Sequence, residues 1–347
     1  MPKEAREGLW AVSPYNYAES VRAGMNLPQR VTVCDLTLRE GRQVEGVSLA
    51  PEQVVEVARR LDEAAVPMIE MHHDDPEEIR LVKGMRPRFK IQALVHPTAA
   101  LNPQTCRREV ELCVASGADI VSLAFAVSDH NFRLYESMGG LKVTREEALA
   151  QACQAVRYSK GLGVIVSCTL MDFSRLDLER LKAIAASLAA AGADIIRLDD
   201  ICAPIMPAVY RHHVREVKRA VPEATVAIHS HNDFGLATAG QLAAWEGGAE
   251  ILEASVNGLG ERAGIPNLAE LVAILEILYG YDTGIRMEKL KGLADFVADV
   301  FNQPIPPGLP AVGRRAFSHA AEVHYVLPEG DRWSFNSWAP EVVGHRR

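Results

Sequence analysis

The chain has 347 residues, 48% hydrophobic and 24% charged, with a formal net charge of −8. That length holds one large α/β domain or two ordinary ones. An acidic balance without a basic stretch excludes nucleic acid and anionic membrane surfaces as expected partners. No apolar run reaches the ~18 residues of a membrane span, and the first seven residues lack the apolar stretch of a signal peptide. Cys34, Cys106, Cys113, Cys153, Cys168 and Cys202 form no Cys-x-x-Cys pair. Reduced thiols in a cytoplasm are the expectation.

Short apolar runs stand at about 31–36, 66–70, 90–95, 119–125, 163–169, 194–198, 225–230 and 250–256. Between them lie helical patterns such as 51–63, 145–160, 177–190 and 235–246, and Thr144-Arg-Glu-Glu147 predicts a capping box. One phrase recurs: Ser116-Gly-Ala-Asp-Ile-Val121, Ala191-Gly-Ala-Asp-Ile-Ile196 and Gly247-Gly-Ala-Glu-Ile-Leu252, with a weaker form at Ala64-Ala-Val-Pro-Met-Ile69. Glycine just past a helix end suits the left-handed conformation required there, so the phrase reads as a repeated helix-to-strand junction. Continuous apolar strands alternating with helices imply parallel pairing buried on both faces. Eight such units across roughly 250 residues predict a (β/α)8 barrel.

The rhythm stops after residue 283. We read 1–283 as the barrel with an N-terminal extension and 284–347 as a C-terminal subdomain. In the latter a helix-like stretch, Met287–Phe301, leads into the rigid connector Gln303-Pro-Ile-Pro-Pro-Gly-Leu-Pro310. Residues 311–347 are too few to bury a core of their own.

Active sites of such barrels lie at the C-terminal ends of the strands. Polar residues follow nearly every run there: Arg39, Glu40 and Gln43 after the first; Glu70, His72 and His73 at the second; His96 after the third; Asp129 and His130 after the fourth; Asp172 after the fifth; Asp199 and Asp200 after the sixth; His229 and His231 at the seventh; Asn257, Glu261 and Arg262 after the eighth. Residues two apart on a strand share a face, so His229 and His231 can grip one ion together. Taken alone, such a pair reads more readily as two hydrogen-bonded histidines in a core or loop; the polar residues after the other strands reverse that. Glu40 is the best carboxylate to join them, because closure of the barrel brings the first run near the seventh. Two histidines and a carboxylate suit Mg²⁺, Mn²⁺, Co²⁺ or Zn²⁺. Arg39 could stabilise an enolate or oxyanion, or form a salt bridge with Glu70, and the two roles are compatible.

Asp35-Leu-Thr-Leu-Arg-Glu-Gly-Arg-Gln43, His229-Ser-His-Asn-Asp-Phe-Gly235 and Asn257-Gly-Leu-Gly-Glu-Arg-Ala-Gly264 resemble the three signatures of the DRE-TIM metallolyase superfamily. That superfamily includes isopropylmalate, homocitrate and citramalate synthases and HMG-CoA lyase. Glu40 and Ala263-Gly264-Ile265 look most like homocitrate synthase. In the tail, Ala316-Phe317-Ser-His319 through His324, and Pro340-Glu-Val-Val-Gly344, are similar to the synthases' post-barrel subdomain. The lyase branch uses a cysteine in a glycine-rich loop, where this chain has Gly260–Pro266 without one.

The resemblance implies metal-dependent condensation of an acyl-CoA with a small oxo acid, in a homodimer whose tails reach the partner's barrel. It implies Glu40, His229 and His231 as metal ligands, and Arg39, Glu70 and His324 as catalytic residues. Gln43, His96, His72 and Asn257 are the expected substrate contacts. A retro-aldol or retro-Claisen lyase, and an inactive homologue with a binding role, are the alternatives. Three positions depart from the synthases: Ile201 stands for a threonine, Met171 for a glutamate and Phe335 for a tyrosine. Pyruvate, 2-oxoisovalerate and 2-oxoglutarate are therefore expected to be poor substrates, with His72, His73 and His96 suited to a more polar or more anionic acceptor.

Overall fold

The computed structural model describes residues 8–72, 74–96, 102–139, 143–321, 324 and 333–346. Eight parallel strands close in chain order: β1 Thr32–Asp35, β2 Met68–His72, β3 Lys90–Val95, β4 Ile120–Ala126, β5 Ile165–Met171, β6 Ile195–Asp200, β7 Thr225–Ser230 and β8 Ile251–Ala254. Pairing of Cys34 with Glu253 and of Asp35 with Ala254 closes the circle. The fold is the expected (β/α)8 barrel. Its larger helices are α1 Pro51–Glu63, α2 Pro76–Gly84, α3 Pro103–Ser116, α4 Asp129–Gly139, α5 Arg145–Gly161, α6 Leu178–Ala191, α7 Pro207–Ala220, α8 Ala237–Gly247, α9 Leu268–Ala273 and α10 Leu290–Phe301. Thr144 and Glu147 form the expected capping box at the start of α5.

Strand ends differ from the pattern where polarity misleads. The apolar run of β6 stops at Leu198, yet the ladder continues through Asp199 opposite His229 and Asp200 opposite Ser230. β5 starts later than its run because Gly163 turns at φ 81°. β8 ends early because the Val256 N–H leaves the ladder and donates to Thr37 Oγ1 at 2.9 Å.

The recurring phrase opens β4, β6 and β8. Its glycines, Gly117, Gly192 and Gly248, take φ of 94°, 109° and 115° just past α3, α6 and α8. The acidic residue two positions on accepts a backbone N–H from the preceding strand and pairs with a lysine at the end of an earlier helix. Asp119 takes the Ile91 N–H (2.9 Å) and Lys83 (2.7 Å). Asp194 takes the Val166 N–H (2.7 Å) and Lys160 (2.8 Å). Glu250 takes the Val226 N–H (3.0 Å) and Lys218 (2.8 Å). The phrase is thus a clamp at the N-terminal mouth, repeated every second strand.

One large core lies between strands and helices. A smaller one, with Cys34, Met68, Ile120, Ile195, Ala227 and Ile251, fills the lower half of the barrel. Each buried aliphatic side chain there contributes about 1.5–3 kcal/mol. Packing continues past residue 283: Leu293, Val297 and Phe301 of α10 join the large core, and Arg60 of α1 lies 3.9 Å over the Phe296 ring. The tail folds back on the N-terminal segment, with Ala11 N–H donating to Ser337 O (2.8 Å) and Ala339 N–H to Leu9 O (2.9 Å). All six cysteines are free thiols, and only Cys202 is exposed. Among the described residues no helix is long and apolar enough to cross a membrane.

Candidate active site

Alternation along the strands decides what enters the barrel. Met68, Ile195 and Ile251 belong to the interior cluster, so Glu70, Arg197 and Glu253, each two residues on, face the same way one layer higher. All three are buried. Arg197 donates Nη1 to Glu70 Oε1 and Nη2 to Glu253 Oε2, both at 2.6 Å. Gln92 also donates to Glu70 Oε1 (2.7 Å), and Arg39 Nε donates to Glu70 Oε2 (2.6 Å). Burial alone would raise the Glu70 carboxyl, but Arg197 and Arg39 outweigh it and hold it at about 2. For Glu253, burial wins against Arg197 and pushes the carboxyl up.

Above this layer Glu40, His229 and His231, all buried, bring one ligand atom each to within 4.8 Å of one another. The two Nε2 atoms are 3.3 Å apart, and His231 Nε2 is 3.8 Å from Glu40 Oε1. Ligands at 2.0–2.1 Å from one ion, at octahedral to tetrahedral angles, stand about 2.8–3.4 Å apart; the two imidazoles meet that span, and Glu40 lies slightly beyond it from His231. His229 Nδ1 lies 2.9 Å from Glu253 Oε2. With Glu253 Oε2 accepting a hydrogen bond from Nδ1–H, the Nε2 lone pair faces the triad, the usual support of a metal-binding imidazole. Burial, followed by the His231 charge for His229, lowers both imidazole pKa values, which keeps the rings neutral. The donor set therefore fits a divalent ion.

Arg39 is buried beside the triad, with Nη1 donating to Glu40 Oε2 and, at 3.5 Å, to Gln43 Oε1. No described residue takes its Nη2. The loop after β8 closes over Glu40, as Glu261 N–H donates to Glu40 Oε1 (3.1 Å). Gly264 in that loop has φ 84°, and a Cβ there would run into the Gly258 carbonyl oxygen. Arg262 ties the rim together, reaching Asp233 (2.8 Å) and the Ile201 carbonyl (2.7 Å).

The remaining expected residues scatter. Glu70, expected to be catalytic, is wholly enclosed with both oxygens taken, so it positions Arg39. Half-buried His72 ends β2, its Nδ1 3.2 Å from Asp74, and half-buried His96 follows β3. His73 lies outside the described residues. Asn257, at φ 60°, donates to the Ala294 carbonyl of α10 at 2.9 Å, while its Oδ1 is buried without a partner. His324 stacks on Phe335 at 3.9 Å and meets His319 edge-on at 5.2 Å, both within the tail.

Sequence reading missed Arg197 and Glu253. The available signal was a charge at the third position of three strands, Met68-Ile-Glu70, Ile195-Ile-Arg197 and Ile251-Leu-Glu253. At the opposite mouth a hollow of about 900 Å³ is lined by Asp194, Lys218 and Glu250 among others. Those charges belong to the clamps, so the hollow is not the site.

A family model described as HMGL-like matches residues 30–297. A probable 2-isopropylmalate synthase of Methanopyrus kandleri is 34% identical over 328 residues, covering 92% of this chain and 62% of that protein. A homocitrate synthase of Saccharolobus islandicus is 33% identical over 320 residues, covering 92% of this chain and 68% of its own length. The chain thus spans about 62% of the length of the first relative. Among solved structures, an HMG-CoA lyase from A. baumannii in complex with coenzyme A and 3-methylmalate superposes with a TM-score of 0.69 at 18% identity, covering 84% of this chain and 98% of that one. At that identity the likeness speaks for the fold. With the family model spanning most of the barrel and three signatures converging on one rim, the chain belongs to the HMGL-like family of DRE-TIM enzymes.

Proposed function

We propose that the protein is a divalent-metal-dependent condensing enzyme that joins an acyl-CoA to an oxo acid and releases coenzyme A. The carrying observation is the grouping of Glu40, His229 and His231 beside Arg39 at the catalytic end of the barrel. Relatives named as isopropylmalate and homocitrate synthases support condensation. In this reading Glu40, His229 and His231 hold the ion, which when bound polarises the acceptor's carbonyl as a Lewis acid. Arg39, already oriented by Glu70 and Glu40, meets the negative charge that develops on the thioester oxygen as the methyl proton leaves. Glu253 holds His229 in its ligating tautomer. His324 handles the proton, presented to the barrel of a partner copy in a homodimer. Gln43, His72, His96 and Asn257 contact substrate, His72 and His96 from the β2–β3 wall. The new carbon–carbon bond leaves an alkoxide that is protonated, and water then cleaves the thioester.

The test is release of free thiol from acetyl-CoA, with a divalent ion present, across a panel of oxo acids. Condensation predicts acid-dependent thiol release. No release with any acid, together with cleavage of a 3-hydroxyacyl-CoA, would replace the condensing reading with the lyase one.

A further inference from the structure

We propose that Asp199 selects the acceptor, accepting a hydrogen bond from a hydroxyl group on an oxo acid. The proposal rests on the condensing reading and narrows its substrate class.

Asp199 shares the inward face of β6 with Ile195 and Arg197, and stands above Arg197 at the catalytic end of the barrel. Its neighbours in register are Met171 on β5 and the proposed ligand His229 on β7. The residue is only 7% exposed, and its Oδ1 has no hydrogen-bond partner. A buried carboxyl oxygen without a donor is costly, and such atoms call for a partner.

Most of the surrounding donor groups are committed, leaving only Arg197 Nε and Arg39 Nη2 among the two guanidiniums. Arg197 spends Nη1 and Nη2 on Glu70 and Glu253, and Arg39 spends Nε and Nη1 on Glu70 and Glu40. Met171, its register neighbour on β5, carries no N–H or O–H in its side chain. A substrate group can therefore complete Asp199, and a donor suits it whenever Oδ1 is the unprotonated oxygen, because that oxygen accepts whether or not Oδ2 carries a proton. The rival occupant is a buried water joining Asp199 Oδ1 to Arg197 Nε, the other unpartnered atom of this strand.

Three acids that differ in one group separate these cases: 3-hydroxypyruvate (hydroxyl), 2-oxobutyrate (methyl) and oxaloacetate (carboxylate). Thiol release and calorimetric binding to the Mn²⁺-loaded protein are both measured for each. We expect 3-hydroxypyruvate to exceed 2-oxobutyrate and oxaloacetate by about tenfold or more in kcat/KM and in affinity. Asp199→Ala should bring the hydroxyl-to-methyl ratio to about one. Asp199→Asn, which keeps an acceptor and the side chain's shape, should retain part of the preference, and it carries the test if the alanine variant does not fold. A hydroxyl preference unchanged in both variants would assign Asp199 to a structural water and overturn the proposal. A wild-type preference for oxaloacetate would overturn it too. If no acid releases thiol, the condensing reading fails and the binding order decides: hydroxyl first upholds the proposal, equal affinities refute it.

Discussion

Glu253 cannot reach substrate, yet it sets which nitrogen His229 presents. With Nδ1 at 2.9 Å from Glu253 Oε2 and Nε2 facing His231, removing the carboxylate frees the ring to change tautomer. Glu253→Gln should weaken divalent-ion affinity by about 10–100-fold in a titration while the barrel stays folded. Unchanged affinity would show that His229 needs no such support. Asp35 gives a second residue-scale test. It is wholly buried, and burial lifts its carboxyl to about 7 although Thr37 donates to both oxygens. Its unfolded value is about 4, so the folded state binds the proton more tightly. The associated stability is complete below about pH 4 and is lost as pH rises through about 7. Asp35→Asn does not titrate. Relative to wild type, its urea-unfolding free energy should improve between pH 4.5 and 7.5, by up to about 4 kcal/mol; a difference constant with pH would contradict this. The ligands were readable residue by residue because they sit in contiguous motifs. Arg197 and Glu253 were not, since a charge within an apolar run has meaning only once closure places residues 127 and 56 positions apart side by side.

At the scale of elements, the recurring phrase was legible as a junction but not as a clamp. Glycine after a helix is a local signal. The acidic residue's partners, a strand N–H and a lysine from an earlier helix, lie up to 36 positions away in sequence. The two halves of each clamp are unequal. Lys160 and Asp194 are about a third exposed, so their ion pair is worth little. Asp194 also satisfies the Val166 N–H, whose loss costs more. Lys160→Ala should cost below ~1 kcal/mol and Asp194→Ala about 1–3 kcal/mol by denaturant unfolding. Equal costs would mean that the ion pair, not the backbone bond, closes the mouth. Strand ends resisted reading for a related reason: Asp199 and Asp200 look like loop residues by polarity but complete the β6–β7 ladder.

For the whole molecule, periodicity alone carried the barrel, because eight buried parallel strands impose one repeated pattern. The tail has no such period, and its order comes from docking on the N-terminal segment and, through α10, on the barrel wall. We expect a homodimer at micromolar concentration by light scattering, with His324 serving the partner's site; a fully active monomer would refute that arrangement. Every functional step above depends on the ion site between β1 and β7. The most direct measurement is therefore metal content by elemental analysis of wild type and of Glu40→Ala and His229→Ala. The account predicts one divalent ion per wild-type chain and loss of most of it in either variant, with the barrel's circular dichroism preserved. A metal-free wild type that takes up no divalent ion on titration, or variants that keep the full complement, would contradict it.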